Sequence, residues 1–293
     1  MIILLLKLKK MKNNKKKYSA FRPRIKSRHP SHSVLRAKYG KFPLLPFKSV
    51  IRLGSSTEVT DTLANGGSRI ELNSVAAIKN SSNKLLMKRC FNDKDVKTAQ
   101  WWELPTLDDV NRVIEDLPYP IVAKKHYGSR GEGNTKLGSK EELMTFLRMT
   151  NNLDKYIFEK YYNYVREYRL HVSEEGCFYT CRKMLKRDTP DEHKWFRNDA
   201  NCVWVLEENE LFDKPSNWEE IEAECVKALK AVGLDFGAID LRVQSATNKH
   251  GEVRENPEFI IVEINSAPSF GDVTADKYLE VLPKLLTNKF NNQ

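Results

Sequence analysis

The chain has 293 residues, of which 40% are hydrophobic, so it is long enough to bury one large core or two smaller ones, and its composition excludes a wholly disordered protein. The net charge of +10 is unevenly distributed, because residues 1–50 contain 15 Lys or Arg and no Asp or Glu, which leaves 34 basic and 39 acidic residues elsewhere. The cysteines are odd in number and scattered, which argues against a disulfide framework and favours a reducing compartment; they are Cys90, Cys177, Cys181, Cys202 and Cys225.

The N-terminal segment is basic and rich in proline. Residues 2–6 are apolar, but five residues followed by lysines predict neither a secretory signal nor a membrane span. Met11 would serve equally well as Met1 as the first residue of the translated chain. Because periodic apolar residues are few, we predict that residues 1–48 form a disordered basic tail. Such a tail either attracts a polyanion, namely nucleic acid or an acidic protein, or is only a solvated leader.

The rest of the chain predicts an α+β fold. An apolar run at Ser49–Leu53 predicts a strand within a short region, residues 49–83. Polar residues that can cap helices precede several periodic segments: Asn83, Thr106, Ser139 with Glu142, and Ser216 with Glu219. Gly233 is placed to end the last helix. Strands are predicted at Ile121–Lys125, Tyr156–Tyr162, Tyr168–Val172, Phe178–Leu185, Gly237–Val243 and Phe259–Ile264. Strands this frequent favour mixed or antiparallel sheets with packed helices over a doubly wound parallel sheet.

Two apolar strands carry isolated polar residues that suit a metal ion. Glu263 and Asn265 are two positions apart in one strand and therefore share a face. Asp240 stands alone in the preceding strand, and a polar loop joining the two strands would bring it beside Glu263. Each residue by itself is more often a solvent-facing strand residue. Together, their hard oxygen ligands predict a magnesium site completed by phosphates.

A glycine-rich segment follows the strand that ends at Lys125. The glycines of Gly128–Asn134 allow backbone N–H groups to approach phosphate oxygens closely, although the spacing matches neither the Walker loop nor the dinucleotide fingerprint. Lys124 lies in the apolar strand, where an unpaired ammonium group would be costly. A bound phosphate would compensate that charge, so the segment predicts a nucleotide site.

These segments resemble a known superfamily. Pro120–Gly133 resembles the strand and glycine-rich lid of ATP-grasp enzymes, and Val262–Pro268 resembles their metal-binding strand. The chain is most similar to ribosomal-protein glutamate ligases and to carboxylate–amine ligases encoded by phages. The resemblance implies an ATP-grasp domain over residues 84–290, in which two α/β lobes hold ATP between antiparallel or mixed sheets. Pro268-Ser269 departs from the usual Pro-Gly at this place.

The resemblance also implies roles for particular residues. Phosphate contacts are implied for Lys84 and Lys124, and lid contacts for Gly128, Ser129, Gly131 and Gly133. The hinge that holds adenine is implied at Glu159 and Lys160, and magnesium ligands at Asp240, Glu263 and Asn265. Groups that act on an acyl phosphate are implied at Arg169, Arg182 and Arg197.

The implied activity is an ADP-forming ligase that joins a carboxylate to an amine through an acyl phosphate. The carboxylate and amine belong to an amino acid, peptide or protein, the cofactors are ATP and Mg²⁺ or Mn²⁺, and the compartment is the cytoplasm, the host's if a phage encodes the chain. Such chemistry needs no catalytic nucleophile, which agrees with the lack of a Ser/His/Asp or Cys/His pattern. A phosphotransferase on the same fold, or a nucleic-acid-binding protein that acts through its tail, remains an alternative.

Overall fold

A computed structural model describes residues 20–27, 29–59, 69–128 and 131–293. Seven α-helices occur in these ranges: α1 (Ser33–Ala37), α2 (Val75–Ser82), α3 (Lys84–Asn92), α4 (Leu107–Val113), α5 (Lys140–Met149), α6 (Trp218–Val232) and α7 (Asp272–Asn291). Twelve strands accompany them: β1 (Arg24–Ser27), β2 (Ser49–Leu53), β3 (Ile70–Leu72), β4 (Trp101–Trp102), β5 (Ile121–Lys125), β6 (Thr135–Leu137), β7 (Tyr156–Lys160), β8 (Arg166–Ser173), β9 (Gly176–Leu185), β10 (Cys202–Leu206), β11 (Phe236–Val243) and β12 (Phe259–Asn265).

The strands form three sheets. A small parallel sheet has the order β1-β2-β3, a four-stranded antiparallel sheet has the order β4-β7-β5-β6, and a five-stranded antiparallel sheet has the order β10-β9-β8-β11-β12. The predicted α+β class with antiparallel and mixed sheets is therefore confirmed. All seven strand segments predicted from the sequence are present, whereas the short strands β1, β3, β4, β6 and β10 were not predicted.

Alternation along the strands gives each of the two larger sheets one covered face and one face toward a common cleft. On the five-stranded sheet, Tyr168, Leu170 and Ile239 point to α6 and are fully buried there. On the four-stranded sheet, Ile121 and Phe158 belong to a second core with α4 and α5. The remaining face of each sheet carries the polar residues of the strands, so the two polar faces oppose each other across the cleft.

Helix caps were largely predictable. Asn83 and Ser139 accept hydrogen bonds from first-turn N–H groups, and Thr106 forms a full capping box. Gly233 ends α6 in the left-handed conformation, with φ of 81°. The capping box predicted at Ser216 is wrong, because its hydroxyl donates to the carbonyl of Glu255 and α6 begins only after Asn217.

The prediction of a disordered tail is wrong for the described residues between 20 and 48. There β1 pairs with β2, and a third core buries the apolar side chains Leu35, Phe42, Leu45 and Phe47 against α7 and the small sheet. Lys38 forms ion pairs with Asp272 and Asp276 at the start of α7. Residues 20–48 contain no acidic residue, and the acidic partners of Lys38 lie near the far end of the chain. The predicted tail residues 1–19 lie outside the described part of the chain. Among the described residues, no helix is long and apolar enough to cross a membrane.

If residues 20–48 belong to the fold, removing a buried side chain there must destabilise it. Leu35 is 0% exposed and Leu44, nine positions later, is 57% exposed. We expect Leu35→Ala to lower the free energy of unfolding by about 2–5 kcal/mol, and the control Leu44→Ala to change it by less than about 0.5 kcal/mol, in urea unfolding. Equal, small effects of the two substitutions would show that this segment is only loosely attached.

Candidate active site

A cleft of about 360 Å³ lies between the polar faces of the four-stranded and five-stranded sheets. The segment after β12 closes one end through Ala267, Pro268 and Ser269, together with His29 and Pro30 from the N-terminal segment. His32 Nε2 donates to the carbonyl of Pro268 at 2.8 Å, which ties these two segments together. The cleft therefore depends on residues that lie more than 230 positions apart.

One wall of the cleft is a ladder of charged residues on adjacent strands. Register places Asp240 of β11 opposite Arg169 of β8 on one side and Glu263 of β12 on the other. A second row follows one step along the sheet, with Lys183 of β9 opposite Glu167 of β8. Acidic and basic side chains thus alternate across the sheet, and each has an oppositely charged neighbour within reach.

Asp240 is held by two cations. Arg169 donates from Nε to Oδ1 at 2.7 Å and from Nη2 to Oδ2 at 2.8 Å, and the Nζ of Lys183 lies 2.8 Å from Oδ2. Burial by itself would raise the pKa of Asp240, but Arg169 and Lys183 outweigh burial and hold that pKa well below its usual value. Asp240 is therefore a carboxylate throughout the neutral range.

The three predicted metal ligands do come together. The Nδ2 of Asn265 lies 3.5 Å from Asp240 Oδ2 and 3.4 Å from Glu263 Oε1. A bulge in the β11–β12 register after Asp240 leaves Glu263 directly opposite it. Two carboxylates and an amide oxygen, available after rotation of the Asn265 amide, are hard ligands that fit a magnesium ion whose other ligands are phosphates. No cluster of three His, Cys, Asp or Glu side chains suited to a metal occurs among the described residues.

Glu167 is the centre of a second buried cluster, which the sequence did not predict. Its carboxylate contacts Lys183 at 3.1 Å, Arg242 at 2.8 Å and Arg197 at 3.6 Å. Burial by itself would raise the pKa of Glu167. The nearby positive charges, chiefly those of Lys183 and Arg242, outweigh burial and hold that pKa below its usual value. Arg197 lines the cleft, and its Nε has no hydrogen-bond partner among the described residues.

Arg182 does not lie in the cleft. It pairs with Tyr168 and so occupies the opposite face of the sheet, where it donates to the carbonyl of Leu211 at 2.8 Å and pairs with Asp213 at 3.2 Å. The predicted placement of Arg182 beside an acyl phosphate is corrected for this reason. Its neighbour Lys183 points into the cleft instead, since successive strand residues face opposite sides.

The facing wall carries the predicted lysines. Lys124 Nζ lies 2.7 Å from Glu159 Oε2, and Lys84 Nζ donates to the carbonyl of Gly128 at 2.9 Å. Lys160 also lines the cleft, with its ammonium group over the ring of Tyr162. Lysines engage the carboxylate of Glu159, and its backbone lies between Trp101 of β4 and Val122 of β5, so the adenine contact of Glu159 stays a prediction.

The glycine-rich loop lies over the cleft. Gly128 and Gly131 line it, and a Cβ at Gly131 would lie 3.8 Å from Phe196 of the β9–β10 connection. Gly133 is not part of the lining; its φ of 72° and a Cβ clash at 2.8 Å with Lys125 require glycine there. Ser129, also predicted as a phosphate contact, lies outside the described residues.

Comparisons with solved structures identify the fold. D-alanine–D-alanine ligase from Bacillus anthracis is similar with a TM-score of 0.62 and 14% identity, covering 94% of this chain and 100% of that chain. The ATP-grasp ligase PsnB complexed with minimal precursor has a TM-score of 0.55 and 14% identity, covering 92% and 98%. Carboxyaminoimidazole ribonucleotide synthase from Aspergillus clavatus, complexed with ATP, has a TM-score of 0.52 and 16% identity, covering 74% and 53%. The chain has the ATP-grasp fold. No family model and no curated protein matches the sequence.

The pairing of Asp240 with Arg169 predicts a pH-dependent stability. A carboxylate with a lowered pKa contributes stability that is present above its unfolded pKa near 4 and is lost as the pH falls below it. We expect Arg169→Met to cost about 3–5 kcal/mol at pH 7, and this cost to shrink as the pH falls below about 4, because Asp240 can take up a proton there once Arg169 no longer lowers its pKa. Urea unfolding between pH 3 and pH 7 measures the difference.

Arg182→Met is the matched comparison on the other face of the same sheet, where the guanidinium donates to the carbonyls of Leu211 and Phe212 and pairs with the exposed Asp213. Solvent screens this exposed pair, so the cost of Arg182→Met should change less with pH than that of Arg169→Met. A cost of Arg169→Met that stays constant from pH 7 to pH 3 would show that the Asp240 charge is not what Arg169 stabilises.

Proposed function

We propose that the protein is an ATP-dependent, ADP-forming ligase that joins a carboxylate to an amine. The observation that carries the proposal is the opposition of two walls in an ATP-grasp cleft. One wall presents Lys84 and Lys124, and the other presents Asp240, Glu263 and Asn265. The Bacillus anthracis ligase solved with ATP, similar with a TM-score of 0.61 and 14% identity, supports ATP as the ligand.

The first step would be attack of a substrate carboxylate oxygen on the γ-phosphorus of ATP, which forms an acyl phosphate and releases ADP. Two anions repel each other, so the barrier falls when cations surround the phosphates. Lys84 and Lys124 would supply this charge from the lid side. Asp240, Glu263 and Asn265 would hold Mg²⁺ or Mn²⁺ on the opposite side, and the ion, when bound, neutralises phosphate charge.

The second step would be attack of the amine nitrogen on the acyl carbonyl carbon, which forms the amide, expels phosphate and releases a proton. Arg169 and Arg197 line the cleft and would stabilise the oxyanion and the departing phosphate. Lys183 replaces Arg182 in this set, because it reaches the cleft from the same strand.

Cysteine chemistry does not compete with this mechanism. Cys181 lies on the cleft-facing side of β9 next to Arg169, but burial raises the pKa of its thiol to about 12. It therefore stays protonated and is a poor nucleophile at neutral pH. All five cysteines are free, which supports a reducing cytoplasm as the place of the reaction.

The substrates are proposed at the level of class. The resemblance to ribosomal-protein glutamate ligases and phage-encoded ligases favours an amino acid as one substrate and a peptide or protein as the other. PsnB, solved with a minimal precursor, supports including peptides. The decisive experiment measures ADP release over a matrix of amino acids and glutamate-containing peptides with MgATP, and identifies the product by mass spectrometry. An amide product supports the ligase, and a phosphoester would identify a phosphotransferase instead.

The metal ligands can be tested with a substitution that preserves shape. Glu263→Gln removes a charge at the centre of the proposed site, so magnesium-dependent ATP turnover should fall by at least about 100-fold while the thermal midpoint of unfolding changes little. Glu255→Gln, in the exposed loop before β12, is the control and should keep wild-type turnover. Undiminished turnover in Glu263→Gln would remove this metal site.

The N-terminal lysines favour a role in binding a partner over a role in catalysis. Residues 1–19 contain seven lysines and no acidic residue. We propose that they recruit the enzyme to a polyanion, either nucleic acid or an acidic protein. Deleting residues 1–19 should abolish salt-sensitive binding to nucleic acid. For the full chain, the logarithm of the affinity should fall linearly as the logarithm of the salt concentration rises, and the truncated chain should not show this dependence. A deletion that stops there leaves the buried residues of α1 intact. Equal binding of nucleic acid by both proteins would remove nucleic acid as the partner, and equal binding of an acidic protein as well would leave only the solvated-leader interpretation.

A further inference from the structure

Below the lysine wall of the cleft lies a buried group of three charges. Glu159 Oε2 is 2.7 Å from Lys124 Nζ, and its other oxygen, Oε1, is 3.2 Å from the Nζ of Lys88 on α3. The side chains are 12% exposed at Lys124, 5% at Glu159 and 0% at Lys88. One carboxylate is thus shared between a lysine that reaches the cleft and a lysine that does not.

Lys88 is wholly internal. Its ammonium group also donates to Thr98 Oγ1 at 2.5 Å, and that hydroxyl donates to the carbonyl of Ile261. A fully buried lysine is rare and costly unless it is paired. Burial lowers its pKa to about 8, and the charge of Glu159 opposes that change, so Lys88 is mostly a cation at neutral pH. Lys88 does not line the cleft, so it cannot touch a nucleotide there.

The shared carboxylate has a consequence for Lys124. In the described state the ammonium group of Lys124 is bound to Glu159, so a phosphate must compete with a buried carboxylate for the same cation. A carboxylate that already has a second cation on its other oxygen holds Lys124 less tightly, and it remains paired when Lys124 moves to a phosphate.

We propose that Lys88 is a positioning residue for nucleotide binding: it neutralises Glu159 from beneath the cleft and so frees Lys124 to bind the phosphates of ATP. The proposal rests on the proposed function, because it takes ATP as the ligand of the cleft. The carboxylate of Glu159 would then restrain Lys124, separately from the hinge role that the family resemblance implies for this residue.

The test is a double-mutant cycle on ATP affinity, measured by titration calorimetry with the full chain. Lys88→Met leaves Lys124 as the only cation on Glu159, and the dissociation constant for ATP should rise by about tenfold or more. Adding Glu159→Gln removes the competing charge and restores the original net charge of the pair. The double variant should therefore bind ATP within about threefold of wild type.

Two further variants make the result unambiguous. Glu159→Gln alone releases Lys124 and should bind ATP at least as tightly as wild type, although it leaves Lys88 without its counter-ion. The double variant leaves neither charge unpaired, so it keeps the test valid if either single variant does not fold. Lys97→Met removes a half-exposed lysine that pairs with Glu220 on α6 and should leave ATP affinity unchanged.

The outcomes separate the two proposals. If the wild-type chain binds no ATP, the proposed function fails. If wild type binds ATP but Lys88→Met binds equally well, or the double variant stays as weak as Lys88→Met, Lys88 has only a structural role. Weaker binding by Glu159→Gln alone would show that Glu159 holds Lys124 in the binding position rather than away from it.

Discussion

The structure depends on one electrostatic constraint, which is that buried charges on the cleft faces must be paired. Moving a single ion out of water costs several kcal/mol even after relaxation, so no charged residue on these strands could be kept alone. Register satisfies the constraint by placing cation beside anion across three strands, as at Arg169, Asp240 and Lys183. Glu167 and Glu159 repeat the arrangement with further cations. The charged side chains named here on both walls are consequently paired with one another in the structure.

Because these charges are already paired, the free energy of ligand binding would include the loss of existing ionic contacts. In the proposed site, a phosphate or a metal ion would have to displace existing partners, because Asp240 and Lys124 are already paired. Binding exchanges one set of ionic contacts for another, so the net free energy is a difference between two large electrostatic quantities. Substitutions next to the contact residues can therefore alter affinity as strongly as substitutions of the contacts themselves.

The sequence predicted the parts of the site that depend on local periodicity. Asp240, Glu263 and Asn265 could be found because two strands joined by one loop are adjacent and alternate with period two. Lys183 could not be chosen over Arg182, since both are basic and only the register with β8 decides which one faces the cleft. Likewise the core partners of Leu35 lie on α7, far along the sequence, and composition alone made the segment look disordered.

The N-terminal segment has a consequence for how the protein is made. His29 and Pro30 form part of the cleft wall, yet the segment that carries them packs against α7, the last helix in the described chain. During synthesis, β1 can pair with β2 early, but the contacts of the N-terminal segment with α7 form only after residues near 286 have left the ribosome. The wall of the cleft that His29 and Pro30 supply is therefore fixed against its full set of partners only when translation has reached the last described helix.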